Sequence, residues 1–251
     1  MYSKLFSRPT RKPLPTKSKR LGTQAASLRH GAWAASPQAN PSQAGSPESD
    51  FRLPINKEYM RLTQADRNKI GNAVVYIAQR VPNLSKTKLL KLLYLMEEYS
   101  VKRFHTPFLG LPFEVWQAGP VVKDLFIDLS ETPVILDGYV EKEVVDDKTY
   151  IKATTTFSDD EFSDNDITVM DDILRRYGKK TAKQLVELTH RKDGLWYATA
   201  ERNHLLDGFE QKLTNNSDCQ IDLGVCLTGC SQEFYREQMD FLNMTRAYKK
   251  G

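Results

Sequence analysis

Residues 86–104 read KTKLLKLLYLMEEYSVKRF. Between Leu89 and Met96 this stretch is apolar on most of its helical circumference (Leu89, Leu90, Leu92, Leu93, Tyr94, Leu95), the pattern of a helix at the buried centre of its domain. Ser85 supplies an N-cap, and Leu84 and Leu89 then occupy the N′ and N4 positions of a hydrophobic staple. One feature works against the helix: Lys86, Lys88 and Lys91 fall in its first two turns, where the positive end of the macrodipole disfavours a cation by a few tenths of a kcal/mol each. Such a conflict persists where something compensates, which points to an internal carboxylate or to an acidic surface on a partner. A solvated helix start weighs as much as either.

Upstream, Thr63 and Asp66 have the spacing of a capping box. Ile70, Val74, Ile77 and Val81 then keep one helical face apolar until Pro82 stops it. Downstream, EVWQAGPVVKDLF (114–126) runs from a short extended segment into Gly119-Pro120, followed at once by the helix-period set Val121, Val122, Leu125, Phe126 and Leu129. The stretch reads as a strand-to-helix elbow, with Pro120 at the first helical position and Pro133 closing the helix. Residues 139–156 alternate around Asp146-Asp147-Lys148 and read as a β-hairpin. A helix from about Asp164 ends at Gly178. Thr181 and Gln184 make a capping box for a short helix ending at His190. The stretch DGLWYATAERNHLL (193–206) reads as helical up to Gly208, residues 209–230 are less regular, and Ser231 opens a last helix with Tyr235, Met239 and Leu242 on one face. There is no internal repeat.

The first fifty residues carry eight Lys/Arg against two acids, a net +6, while the rest of the chain holds 28 against 30, a net −2. The overall charge of +4 is therefore the property of a tail, and the body has no global basic signature for nucleic acid. The tail is rich in Ser, Pro, Ala, Gln and Gly and cannot bury enough surface to offset its ordering entropy, so residues 1–59 are expected to be disordered. Their Arg/Ser-rich, acid-poor composition faintly resembles an organellar transit peptide. Added expression sequence or an over-long start, with Met60 as the alternative start, weighs more. No stretch approaches the roughly 20 apolar residues of a membrane span. Three cysteines (Cys219, Cys226, Cys230), without a secretory h-region, fit reduced thiols in a cytoplasm.

Chemical signals are sparse. His190 with Asp193 offers half of an acid–base pair, but no nucleophile elbow converges on it, and a histidine satisfying helix-end carbonyls or packed beside Trp196 is the simpler reading. The cysteine spacing lacks the paired knuckles of a zinc site, even with His190 or His204 added, and buried, inert thiols are expected. Gly119-Pro120 lacks the other glycines and the Lys-Ser/Thr of a phosphate loop. Trp116 reads as the anchor of a core edge, although Trp is also enriched in interface hot spots. The two helices around Pro82 resemble a helix-turn-helix with three lysines for phosphates, but the second is apolar nearly all round where a recognition helix needs an exposed polar face, so a DNA-binding or autoregulatory factor stands as the minority alternative. No catalytic residue, metal or cofactor is therefore assigned.

The segment from Thr87 to Phe126 resembles the central signature of the Panacea domain, the SocA-like antitoxin family also met in phage-associated GepA-like proteins. The matching elements are Lys88 to Tyr94 (with Leu89, Lys91, Leu92 and Leu93), Phe113 to Trp116, and Gly119-Pro120-Val121-Val122. A second element follows in Leu188-Thr189-His190 and Trp196, and the resemblance spans about residues 63–205. One departure is Leu90, where the family often has Gln. The resemblance implies a cytoplasmic bacterial antitoxin that neutralises a cognate toxin by protein–protein contact and is not an enzyme. In the SocA-like branch it implies an adaptor that hands the toxin to a protease.

The expected fold is α+β and predominantly α-helical, a compact helical domain with one β-hairpin behind a disordered tail. The expected domains are a Panacea-like unit at 60–205 and an extension at 206–251 that ends in a helix packed on the same domain. The signature residues are expected to be framework. Lys86, Lys88, Lys91 and Trp116 are the candidates for contact with the toxin, and nucleic acid is expected to bind only nonspecifically through the tail.

Overall fold

The central helix, α2, spans Lys86–Phe104 in the computed structural model, which describes residues 60–248. The expectations for residues 1–59 fall outside the described residues. Ser85 accepts the Lys88 N–H as N-cap, and the two staple residues, Leu84 and Leu89, are both buried. The burial runs without interruption from Lys88 to Glu98. Around α2 pack α4 (Asp164–Tyr177), α5 (Ala182–Thr189) and two small hairpins, and α1 (Gln64–Arg80) packs on α4 and on the hairpin of residues 140–153. The fold is thus mixed α+β and mostly helical.

Local sequence explains the helix starts. Complete capping boxes open α1 (Thr63 with Asp66), α4 (Ser163 with Asp166) and α5 (Thr181 with Gln184). Gly178 closes α4 in a helical conformation, with φ of −58°. The expected single helix through Gly208 is two, α6 (Leu195–Arg202) and α7 (Leu206–Glu210). The break is a Schellman motif with a histidine in the left-handed position. His204 has φ of 56°, its N–H donates to Glu201 O, and the Leu205 N–H donates to Ala200 O.

The Gly119-Pro120 elbow is not a helix start. Glu114–Trp116 (β1) and Gly119–Val121 (β2) form a second antiparallel hairpin, with Val115 opposite Pro120 and Trp116 opposite Gly119. Gly119 turns at φ of +92°, and the helix begins only at Lys123. That helix, α3 (Lys123–Asp128), ends well before Pro133. Its last residue explains the early stop: the buried Asp128 carboxylate accepts N–H groups from Val134 (2.6 Å), Ile135 (2.9 Å) and Leu136 (3.0 Å), fastening an irregular return loop. The hairpin expected at 139–156 is present as Val140–Val145 (β3) and Lys148–Ala153 (β4). Asp146 and Asp147 both have positive φ, as a tight two-residue turn of the primed type requires.

The C-terminal part is tied to the same core. Residues 215–221 run beside β1, where Val115 N–H donates to Cys219 O at 2.9 Å and Ile221 N–H to Phe113 O at 2.8 Å. The last helix, α8 (Cys230–Tyr248), docks through Tyr235, Met239 and Leu242, and Arg246 locks it. The Arg246 guanidinium donates to Gly110 O (2.7 Å), Leu109 O (2.9 Å) and the Asp66 carboxylate (2.9 Å). From the other side Glu97, 1% exposed, accepts the N–H groups of Phe108, Leu109 and Gly110 at 2.9–3.0 Å. The cysteines are less buried than expected: Cys219 and Cys226 are half-buried and Cys230 is exposed, because the segment carrying them runs along the surface.

Candidate functional site

Hairpin β1–β2 lands on α2 and on the corner between α5 and α6, and there the polar signature residues meet. Lys91 is 1% exposed, and its Nζ donates to Pro120 O at 2.7 Å. Burial, with no opposing carboxylate, pushes its ammonium down to about 7. Gly119 leaves no room for a side chain. A Cβ there would lie 2.8 Å from Lys91 Cε, 2.8 Å from Thr189 Oγ1 and 3.2 Å from His190 Cε1.

His190 is the C-cap of α5, and carbonyls hold both of its ring nitrogens: Nδ1 lies 2.6 Å from Val186 O, and Nε2 lies 3.0 Å from Gln117 O in the hairpin tip. Its ring packs against Trp196 with centroids 3.8 Å apart. Trp196 Nε1 in turn donates to Trp116 O at 3.1 Å, and Gln117 Nε2 donates to Phe209 O at 2.6 Å. The hairpin tip is thus grasped by α2, α5, α6 and α7. Leu89, Leu92, Leu93, Tyr94, Phe113, Val121 and Val122 lie in the surrounding apolar core.

The three lysines at the start of α2 separate. Lys88 is 8% exposed and donates to Gly178 O at 2.7 Å, and Lys91 is interior. Within the described residues both meet neutral carbonyls, so of the two compensations expected, an internal carboxylate or a partner's acidic surface, the internal carboxylate is not what they meet. Carbonyl dipoles, including the one at the end of α4, do that work instead. Lys86 remains accessible: its Nζ lies 3.9 Å over the Phe126 ring and donates to Ser130 Oγ at 2.8 Å. Trp116 also packs against Phe126, with ring centroids 4.9 Å apart and the planes tilted, and is half-buried. Beside the hairpin tip, Gln117, His190, Trp196, Tyr197, Asp207 and Phe209 line an open depression of about 490 Å³.

No acid–base pair is assembled at His190. Asp193 lies 3.4 Å from Arg191, and its side chain is 84% exposed. Among the described residues no group of three or more His, Cys, Asp or Glu could hold a metal ion. Of these residues no helix is long and apolar enough to cross a membrane. Sequence reasoning missed Glu97, Asp128 and Arg246, whose only signal was a charge placed inside or beside an apolar run.

Residues 89–197 match the family model described as "Antitoxin SocA-like, Panacea domain". No curated protein and no solved structure matches the chain.

Proposed function

We propose, from the match of residues 89–197 to the SocA-like antitoxin Panacea family model, that this protein is the antitoxin of a toxin–antitoxin pair. On this reading it neutralises its cognate toxin in the cytoplasm by direct protein–protein contact, without catalysis. The observation that carries the reading is how the signature's polar groups are used. Lys91 and Trp196 donate their hydrogen bonds to carbonyls of the chain itself, and carbonyls flank both ring nitrogens of His190. Residues locked in this way make a rigid frame for recognition, whereas a catalytic site needs groups left free to meet a substrate.

The contact surface on this reading is the edge outside that frame. Trp116 offers a half-buried aromatic anchor, and Lys86 is the one lysine of the α2 start that can meet an acidic group on the toxin. Lys88 and Lys91 support the surface from within.

The test is co-expression of the full chain with the product of the adjacent reading frame, scoring growth and then co-purification. Rescue with a stable complex is expected, and Trp116→Ala with Lys86→Glu should weaken it at temperatures where circular dichroism shows the variant still folded. Rescue without a complex, lost in cells lacking a particular protease, would replace blocking by the adaptor mechanism. A toxic product that the chain never rescues refutes the antitoxin reading.

A further inference from the structure

The last helix carries two faces. Tyr235, Met239, Leu242 and Arg246 dock it to the body, whereas Phe234, Phe241, Met244 and Tyr248 are 45%, 71%, 56% and 80% exposed. At 3.6 residues per turn the exposed four fall within about 80° of arc, centred about 150° round the helix from the docked set. Scattered surface hydrophobics are ordinary, but four large side chains aligned along one helix make a patch of the kind that marks an association site. All four lie beyond the residues that match the antitoxin family.

We propose that this stripe pairs with the same stripe of a second copy, forming an antiparallel helix pair about a twofold axis at Phe241. The spacing is self-complementary. Phe234 and Tyr248 stand seven residues to either side of Phe241, so an antiparallel mate brings Phe241 onto Phe241 and Phe234 onto Tyr248. A repeat of seven is the spacing at which two helices keep one seam in contact. Charge selects the direction. Glu237 lies within the stripe and is exposed. A parallel pair would set the two Glu237 carboxylates face to face, whereas the antiparallel pair sets each one opposite Thr245. The area suffices: with about 200 Å² for a fully exposed large side chain, the four residues offer about 500 Å² per copy. The pair then buries about 1,000 Å², where specific interfaces begin, and the association is of micromolar strength. This inference does not depend on the identity of the toxin.

The experiment measures the mass of the full chain by sedimentation and light scattering over a concentration series. A rise from 28.7 kDa towards twice that mass is expected at tens of micromolar. Phe241→Glu with Met244→Glu should hold the chain monomeric while leaving its circular dichroism and Tm unchanged. Orientation is read in a background with Cys219, Cys226 and Cys230 changed to Ser. There Phe234→Cys mixed with Tyr248→Cys should cross-link on oxidation, and Phe234→Cys alone should not. A chain monomeric throughout, a dimer indifferent to the two glutamates, or Phe234→Cys linking to itself each overturns the proposal. So does a monomer whose Phe241→Glu variant loses toxin binding, since the stripe then belongs to the toxin.

Discussion

Replacing Lys91 by methionine tests the interior of the signature most directly. Lys91 is 1% exposed, has one strong partner in Pro120 O, and titrates near 7 in place of the ordinary 10.5. Below pH 7 both the folded and the unfolded chain hold the proton, and the folded chain carries the whole penalty of a buried cation. A depression of that size corresponds to about 5 kcal/mol at 1.36 kcal/mol per pH unit. Between about pH 7 and 10.5 the unfolded chain binds more protons than the folded one, so stability rises with pH across that window. From pH 7 to pH 9 the wild type should recover about 2 kcal/mol. K91M has no charge to bury, but it leaves Pro120 O without its donor, at a cost of about 1–3 kcal/mol. K91M is therefore expected to be about 2 kcal/mol more stable than wild type near pH 6–7 and roughly level with it at pH 9. Urea unfolding of the full chain, followed by circular dichroism at pH 7, 8 and 9, reads the difference directly, because the other titrating groups are common to both proteins. Parallel stability profiles for the two would refute the reasoning.

Three further outcomes follow from the same geometry. Gly119→Ala places a Cβ 2.8 Å from two side chains at a φ of +92° and should cost roughly 2–4 kcal/mol, seen as a lowered Tm. Arg246→Met leaves Asp66 and two loop carbonyls without their partner, and should cost about 3 kcal/mol and open α8 to limited proteolysis. Burial raises the Asp66 carboxyl, but hydrogen bonds from Arg246 and Thr63 outweigh this and hold it below its usual value of 3.8. The wild-type advantage over Arg246→Met should therefore be full above pH 4 and shrink as the pH falls through the lowered value. His190→Ala should lower Tm through the loss of its two carbonyl contacts, yet still protect against the toxin at temperatures where it remains folded; loss of protection by a folded variant would restore a direct role for His190.

The helices were legible because their signals are local. Ser85 and the Leu84/Leu89 staple, the capping boxes Thr63/Asp66 and Thr181/Gln184 and the turn at Asp146-Asp147 each lie within a few residues of the structure they create. The Gly119-Pro120 elbow misled because a proline after an extended segment suits a first helical turn as well as a strand position that needs no donor. What decided between them lies far away in sequence: Lys91 Nζ on Pro120 O, and Thr189 and His190 against Gly119. The break at His204 was hidden for a related reason, since a left-handed cap there uses a histidine in place of glycine or asparagine.

The same distinction explains why the signature could be recognised before its purpose was visible. Two buried carboxylates and Arg246 hold loop backbone that has no sheet or helix to satisfy it, and Lys91 holds a carbonyl of the short β2 strand. Glu97 takes the N–H groups of 108–110 and Asp128 those of 134–136, while Arg246 takes the carbonyls of 109 and 110 and Lys91 that of 120. Each replaces the water that an irregular loop would otherwise require, so loops can pass through the interior beside α2. A charge used in this way has to be a long or acidic side chain reaching backbone distant in sequence, and no periodicity announces it. The backbone so fixed includes the hairpin tip beside Trp116, which puts the proposed toxin-facing edge on a part of the domain held by Lys91, His190 and Trp196. A recognition surface built on such a frame loses little freedom on binding, and damage to the frame from within should reach partner binding through the hairpin before it unfolds α2.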